Sequence, residues 1–429
     1  MRADFLLHGA GQLATLAGPE RPRRGSELAE IGLVAGGAVA AFEGRIVAVG
    51  PEKTVLKKIK LEPESVVIDA KGALVTPGYV DPHTHALFGR YRADEYDLRV
   101  AGRPYTEIAA AGGGIHASVR DFRERDDAEL MALTRPRLAR MVMNGSTTIE
   151  MKSGYGLSLE EELRAMLIVE RLDREAPATL VPTFLGAHEI PPEHRNEGRW
   201  DYIDEICKVW MPRAAEQGIA RFADVFCEPS VFTLEESERI LEAAKKSGLC
   251  LKLHADEIAP GYGGAALAAR MGAVSADHLI VMADEDLAPL AASDTVAVLL
   301  PATSLGLAST EFAPARKMVD AGVAVALATD FNPGSSACES MGLVLSLASS
   351  ALRLTPAEAL TAATHNAAWA CGEGSEAGSL APGKRADLLL HDAEDYRQLP
   401  YHMGFPSVSR VFIRGEEVRY EPEELKDRH

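Results

Sequence analysis

The strongest constraint on the fold is an alternation that runs from about residue 75 to residue 370. Short runs rich in β-branched residues follow longer runs rich in Ala, Leu and Glu, and we predict strands at 147–150, 180–184, 222–226, 249–254, 273–277, 296–300 and 323–328. Repeated βα units imply parallel strands. With a further strand near residue 79, about eight strands in about 300 residues favour an α/β fold of the (β/α)8 TIM-like barrel type over an open doubly wound sheet. No G-x-G-x-x-G motif follows the first strand, which argues against a dinucleotide-binding domain.

Both ends of the chain have β character instead. Residues 37–41 and 45–49 flank Glu43-Gly44 and predict a hairpin. Residues 66–69 and 408–413 predict further strands. We therefore predict a small β-sandwich domain formed from both termini (1–73 and 375–429), with the (β/α)8 barrel between them at 74–374.

The charge balance excludes some classes of partner. The chain carries 45 basic and 63 acidic side chains, for a net charge of -18. Such a surface repels phosphate backbones, so we expect no nucleic acid and no membrane among its partners. A small anionic substrate stays possible, because one local arginine can dominate a pocket.

The cysteines and the hydropathy pattern predict a cytoplasmic protein. The five cysteines are scattered and form no C-x-x-C pair, as expected for reduced thiols: Cys207, Cys227, Cys250, Cys338 and Cys371. No apolar run approaches the roughly 20 residues of a membrane span. The N-terminus has no signal-peptide pattern.

His83 and His85 follow an apolar run that is interrupted by Pro77-Gly78. Residues i and i+2 of a strand point to the same face, so both imidazoles project together. Two imidazoles at a strand end are typical of the beginning of a metal site.

Further polar residues recur where the predicted strands end: Lys152, Tyr155, His188, His254, Glu257, His278 and Asp330. The carboxyl ends of barrel strands meet at one mouth, so these side chains can converge. Three histidines and one aspartate form a plausible site for a divalent metal with an open position for water: His83, His85, His254 and Asp330.

Other interpretations of the same residues stay open. His188 could be a surface loop histidine, His278 could be structural, and Asp330 could cap the following segment. Lys152 could bridge two metals, but we interpret it as a buried structural cation near the ligands.

Five stretches carry a resemblance to known enzymes: Glu-Met-Lys-Ser-Gly-Tyr-Gly at 150–156, Gly-Ala-His-Glu-Ile-Pro-Pro at 186–192, His-Ala-Asp-Glu at 254–257, Ser-Ala-Asp-His-Leu at 275–279 and Ala-Thr-Asp-Phe-Asn-Pro-Gly-Ser-Ser at 328–336. The His-x-His pair with these strand ends resembles the amidohydrolase superfamily. The five stretches are similar to those of its imidazolonepropionase family, over roughly residues 30 to 415. The last stretch is specific, whereas His-x-His alone would indicate only the superfamily.

The resemblance implies one metal ion per chain, zinc or iron, held by His83, His85, His254 and Asp330. It also implies substrate contacts from seven residues: Arg92, Tyr155, His188, Glu257, Asn332, Gly334 and Ser335. Arg92 could pair with a carboxylate in bidentate fashion, although Arg90 is an alternative partner. A homodimer is implied as well.

The implied reaction is hydrolysis of the cyclic C–N bond of 4-imidazolone-5-propanoate to N-formimidoyl-L-glutamate, in histidine degradation. Glu257, His278 and Asp330 are the candidate catalytic residues, and the assignment of acid and base among them stays open. Three alternatives also stay open: another cyclic-amide hydrolase or deaminase, a non-enzymatic binding protein, and a two-metal enzyme that uses a modified Lys152.

Overall fold

A computed structural model describes residues 1–103, 113–191, 194 and 198–426 of the 429-residue chain. Pro192, the last residue of one of the five stretches, lies outside the described residues. The strands are β1 (Arg2–Ala14), β2 (Leu33–Phe42), β3 (Arg45–Pro51), β4 (Lys60–Asp69), β5 (Leu74–Pro77), β6 (Tyr79–Asp81), β7 (Ser146–Lys152), β8 (Thr179–Ala187), β9 (Phe222–Cys227), β10 (Cys250–Ala255), β11 (Ser275–His278), β12 (Val296–Leu299), β13 (Ala324–Leu327), β14 (Leu388–His391), β15 (Val408–Ile413) and β16 (Glu416–Val418).

The α-helices of the described residues are Glu52–Lys58, Ala93–Val100, Ile115–Glu124, Asp127–Met143, Leu159–Glu175, Arg199–Glu205, Met211–Gln217, Leu234–Lys246, Gly264–Met271, Leu287–Ala292, Pro301–Gly306, Ala315–Asp320, Met341–Ser350, Pro356–Ala362, His365–Ala370 and Gln398–Tyr401. Local signals define several of their starts. Thr233 and Glu236 form a capping box, and the Ser158 side chain accepts a hydrogen bond from the Glu161 N–H. Within the described part of the chain, no helix has both the length and the hydrophobicity to cross a membrane.

Strands β6 to β13 form one parallel sheet in chain order, which confirms the predicted barrel. The first and last strands meet at their carboxyl ends through a parallel bridge between Thr84 and Phe331. Around that bridge, the Asp330 N–H donates to the His83 carbonyl at 3.1 Å and the His85 N–H donates to the Phe331 carbonyl at 2.8 Å. The residues that close the barrel are therefore neighbours of the metal-ligand candidates, or the candidates themselves.

The terminal segments form a second, mixed sheet with the order β16-β15-β14-β5-β1-β2-β3, to which β4 adds beside β1. The predicted hairpin is β2–β3, and its turn residues Glu43 and Gly44 have φ values of 51 and 75°, as a two-residue turn between twisted strands requires. Phe5 and Phe412, from the two ends of the chain, pack with ring centroids 5.5 Å apart. Strand β5 belongs to this sheet and β6 to the barrel, so the chain changes sheets at Gly78; the domain limits remain predictions.

Candidate active site

Four side chains converge at the carboxyl end of the barrel. The Nε2 atom of His85 lies 3.3 Å from Nε2 of His83 and 3.4 Å from Nε2 of His254. Asp330 Oδ1 lies 3.6 Å from Nε2 of His83 and 3.7 Å from Nε2 of His85. A tetrahedral ion with bonds of about 2.0–2.1 Å has ligand atoms about 3.3 Å apart, so the spacing fits a divalent metal.

Burial prepares these side chains as ligands. Each of the four is at most 3% exposed. Burial lowers the pKa of His83 and His85 well below the ordinary value, so both imidazoles are neutral and offer a lone pair. Asp330 has φ 53°, and the Thr303 hydroxyl donates to its Oδ2 at 2.7 Å. This uncommon backbone angle in a non-glycine residue directs the carboxylate towards the histidines.

Two buried aspartates orient two of the histidines from behind. Nδ1 of His83 lies 2.6 Å from Oδ2 of Asp277, and Nδ1 of His254 lies 3.0 Å from Oδ2 of Asp224. A carboxylate at Nδ1 fixes the ring and leaves Nε2 free for a metal. Burial lowers the pKa of His254, but the Asp224 carboxylate opposes this effect and leaves the pKa above its ordinary value.

Lys152 joins these aspartates in a fully buried charged layer below the site. Its Nζ donates to Asp224 Oδ2 at 2.8 Å and to Glu150 Oε1 at 2.9 Å, and lies 3.7 Å from Asp277 Oδ2. A second lysine, Lys252, lies 2.9 Å from the same Glu150 oxygen. Burial lowers the pKa of Lys152, but the three carboxylates outweigh it and raise that pKa above its ordinary value. Lys152 is therefore a charged support for the histidines, as we interpreted it from the sequence.

Glu257 and His278 lie on one side of the four ligand candidates. His278 Nε2 is 3.6 Å from Glu257 Oε2, and the His278 ring centroid is 5.3 Å from that of His83. Neither ring nitrogen of His278 has a hydrogen-bond partner among the described residues. Burial raises the pKa of Glu257 to about 8, so this carboxyl holds a proton at neutral pH. The pair thus offers a proton donor and an unused imidazole.

His188 and Tyr155 lie on another side. The His188 ring stacks on that of His85 at 4.9 Å, and Tyr155 packs 5.6 Å from His188. His188 Nδ1 lies 2.9 Å from the Gly154 carbonyl. Because burial lowers the pKa of His188 to about 3, its ring is neutral, donates from Nδ1 and can accept at Nε2.

The loop after Asp330 builds a different surface. Oδ1 of Asn332 accepts the N–H groups of Gly334 and Ser335, each at 2.8 Å, and Nδ2 donates to the Asp330 carbonyl at 2.7 Å. The Arg92 guanidinium packs directly on Gly334. Arg90, the alternative arginine, is exposed, and its N–H donates to Asp121. Asn332, which we predicted to contact the substrate, thus uses its side-chain amide to shape the loop.

Sequence reasoning gave no role to Asp224, Asp277 or Thr303. One signal was present, because a carboxylate inside the apolar run 222–226 has to find a buried partner. The residues that pair with such a carboxylate lie on other strands, and no local sequence pattern predicts which residues they are.

The sequence profile of the amidohydrolase family matches residues 74–418. An imidazolonepropionase from Symbiobacterium thermophilum is 50% identical over 413 residues, 96% of each chain. An imidazolonepropionase from Solibacter usitatus is 46% identical over 96% of this chain and 98% of its own. The chain belongs to the imidazolonepropionase family of the amidohydrolases.

Solved structures extend the similarity of fold beyond imidazolonepropionases. An adenosine deaminase from Xanthomonas campestris, solved with bound zinc, has a TM-score of 0.73 at 20% identity and covers 99% of this chain and 96% of its own. A 5-methylcytosine deaminase from Klebsiella pneumoniae has a TM-score of 0.71 at 17% identity, with 97% of both chains covered. At these identities the likeness concerns the fold alone.

Proposed function

We propose that this protein hydrolyses the ring C–N bond of 4-imidazolone-5-propanoate to give N-formimidoyl-L-glutamate, a step of histidine degradation. The observation that carries this proposal is the short segment from Asp330 to Ser335. It presents a carboxylate to the Nε2 atoms of His83 and His85 at one end and packs against a guanidinium at the other. A substrate with a hydrolysable ring and a carboxylate tail fits these two ends, and the named relatives support this assignment.

One metal ion, zinc or iron, would be held by His83, His85, His254 and Asp330. When bound, it would supply Lewis acidity and lower the pKa of water. Nitrogen and oxygen ligands in this number suit either metal. The hydrogen-bonded Lys152 argues against a two-metal site bridged by a modified lysine, because its Nζ is already engaged by buried carboxylates.

The remaining groups divide the proton transfers. Asp330 can take the proton from the attacking water, and the neutral Glu257 can deliver one to the departing ring nitrogen. His278, with both ring nitrogens unused, can contact the carbonyl oxygen as negative charge develops there. His188, which stacks on His85, is another candidate for that contact. Attack at the ring carbonyl and cleavage of its C–N bond then open the ring.

Arg92 would hold the propionate. Its guanidinium has the planar fork that matches a carboxylate, and its side chain is only 14% exposed, which strengthens such a pair. Tyr155 and the backbone at Gly334-Ser335 would add contacts along the substrate.

We further propose a cytoplasmic location and a homodimer. The first is supported by the cysteines, since all five are free. The second is supported by the family resemblance.

The test combines metal analysis with loss of the ultraviolet absorbance of freshly generated 4-imidazolone-5-propanoate. We expect one metal ion per chain, rapid and chelator-sensitive loss of the substrate, and no release of ammonia. One metal ion without loss of substrate would reject this function. Ammonia release from a purine or pyrimidine would instead indicate a deaminase.

A further inference from the structure

A buried carboxylate organises the loop that carries Glu257. Glu228 directly follows β9 and is fully buried. Its Oε1 accepts the N–H groups of Glu257 at 2.8 Å and Ile258 at 2.9 Å, and its Oε2 accepts the Ala259 N–H at 3.1 Å. Three consecutive amides of a loop at the barrel mouth thus converge on one side chain from the neighbouring strand.

The position of the Glu257 carboxyl depends on this backbone. Its Oε2 lies 3.6 Å from His278 Nε2, beyond hydrogen-bonding distance. The residue before it, Asp256, has φ 49° and accepts the N–H groups of Gly263 and Ala265 at 2.9 and 2.8 Å. Both ends of the turn are therefore fixed by carboxylates, and Glu257 projects from a preorganised backbone.

We propose that Glu228 is a positioning residue, which places the Glu257 carboxyl at the distance from the substrate ring that proton transfer requires. This inference rests on the proposed function for the identity of the reaction. The geometry of the loop, by contrast, follows from the three hydrogen bonds to Glu228 alone. A misplacement of about 1 Å at a reacting group can cost about 100-fold in rate, so the anchor would act on the chemical step.

The chain contains a matched control on another side of the site. Glu162 accepts the N–H groups of Gly154, Gly156 and Leu157 at 2.8, 2.8 and 2.7 Å, and these residues surround Tyr155. The two anchors are similar in burial and in the number of bonds, but they hold different loops.

The variant Glu228→Gln tests the anchor with little change in shape. A glutamine can still accept two amides with its oxygen, but its NH2 group faces a third N–H and cannot accept it. We expect the Glu257–Ala259 amides to exchange with deuterium faster in Glu228→Gln than in the parent, with no change at 154–157. Glu162→Gln should show the reverse pattern. Unchanged exchange at 257–259 would overturn the anchor, and this measurement needs no substrate.

A double-mutant cycle on the metal-loaded enzyme tests the positioning role. Glu228→Gln should lower kcat about 10- to 100-fold with a smaller change in KM. The same change should cost less than about 3-fold in a Glu257→Gln background, measured by single turnover, because the positioned group is then absent. Glu162→Gln should cost the same factor in both backgrounds. An equal loss of kcat from Glu228→Gln in both backgrounds would reduce Glu228 to a structural residue. If the parent protein does not consume the imidazolone at all, the proposed function fails, and the exchange experiment still decides the anchor.

Discussion

Gly334 lies so close to Arg92 that a Cβ built on the glycine would stand 1.5 Å from Nη2 of the arginine. Gly334 is not among the residues with positive φ, so its backbone does not itself demand glycine. The glycine is needed for space. Arg92 in turn binds this loop through its own N–H, which donates to the Pro333 carbonyl at 3.0 Å.

Gly334→Ala should therefore displace the Arg92 side chain without unfolding the loop. Since the atom in conflict is the end of a flexible side chain, we expect KM for the anionic substrate to rise about 10-fold or more, with little change in melting temperature. Gly342→Ala is the control. A Cβ built on Gly342 would lie 3.6 Å from the Ser340 Oγ atom, and an added methyl in a helix is neutral or slightly stabilising. Equal KM values for the two variants would show that Arg92 does not depend on this contact.

Arg92 and Arg90 can be separated by paired substitutions. Arg92→Lys keeps the charge but loses the planar fork, so KM should rise by about 10-fold, about 1.4 kcal/mol of binding. Arg90→Lys, at an exposed position, should leave steady-state kinetics unchanged. The opposite ranking would assign the carboxylate to Arg90.

Lys152→Met should destabilise the protein and weaken metal binding. Removal of this cation leaves Asp224 without its lysine partner and Glu150 with Lys252 alone, and breaking a buried pair costs about 3–5 kcal/mol. With Asp224 and Asp277 less firmly held, we expect metal affinity to fall about 10- to 100-fold, measured by competition with a chelator. Lys246→Met is the control, because its side chain is 80% exposed and lies 3.9 Å from Glu242. If Lys152→Met binds the metal ion with the affinity of the parent protein, the charged layer does not support the metal ligands.

The pH dependence of turnover should reveal Glu257. Burial raises the pKa of this carboxyl to about 8, so its proton is present at neutral pH and is lost as pH rises through that value. If Glu257 is the proton donor, kcat falls on the alkaline side with this ionisation, and the alkaline limb is absent in a slower Glu257→Gln enzyme. Loss of activity on the acidic side of the same ionisation would instead make Glu257 the base.

The barrel was predictable from the sequence because each strand and each helix is indicated by the residues of its own segment. Each of the seven barrel strands predicted after residue 140 overlaps an observed one, as in 222–226 against Phe222–Cys227. The His-x-His pair and the strand-end residues were found for the same reason, since their position relative to a strand is a local property. The roles of these residues in metal binding and catalysis remain proposals for the experiments above.

The sequence by itself determined the parallel βα architecture, the sheet built from both termini and the list of polar side chains at the barrel mouth. Only the tertiary structure decided which of these side chains pair. Asp277 behind His83, Asp224 behind His254, and Glu228 below Glu257 each join residues from different strands or loops. Hydropathy periodicity fixes which face of a strand is buried, whereas strand register and barrel closure fix which buried groups meet, and buried charges then have to be paired at those positions.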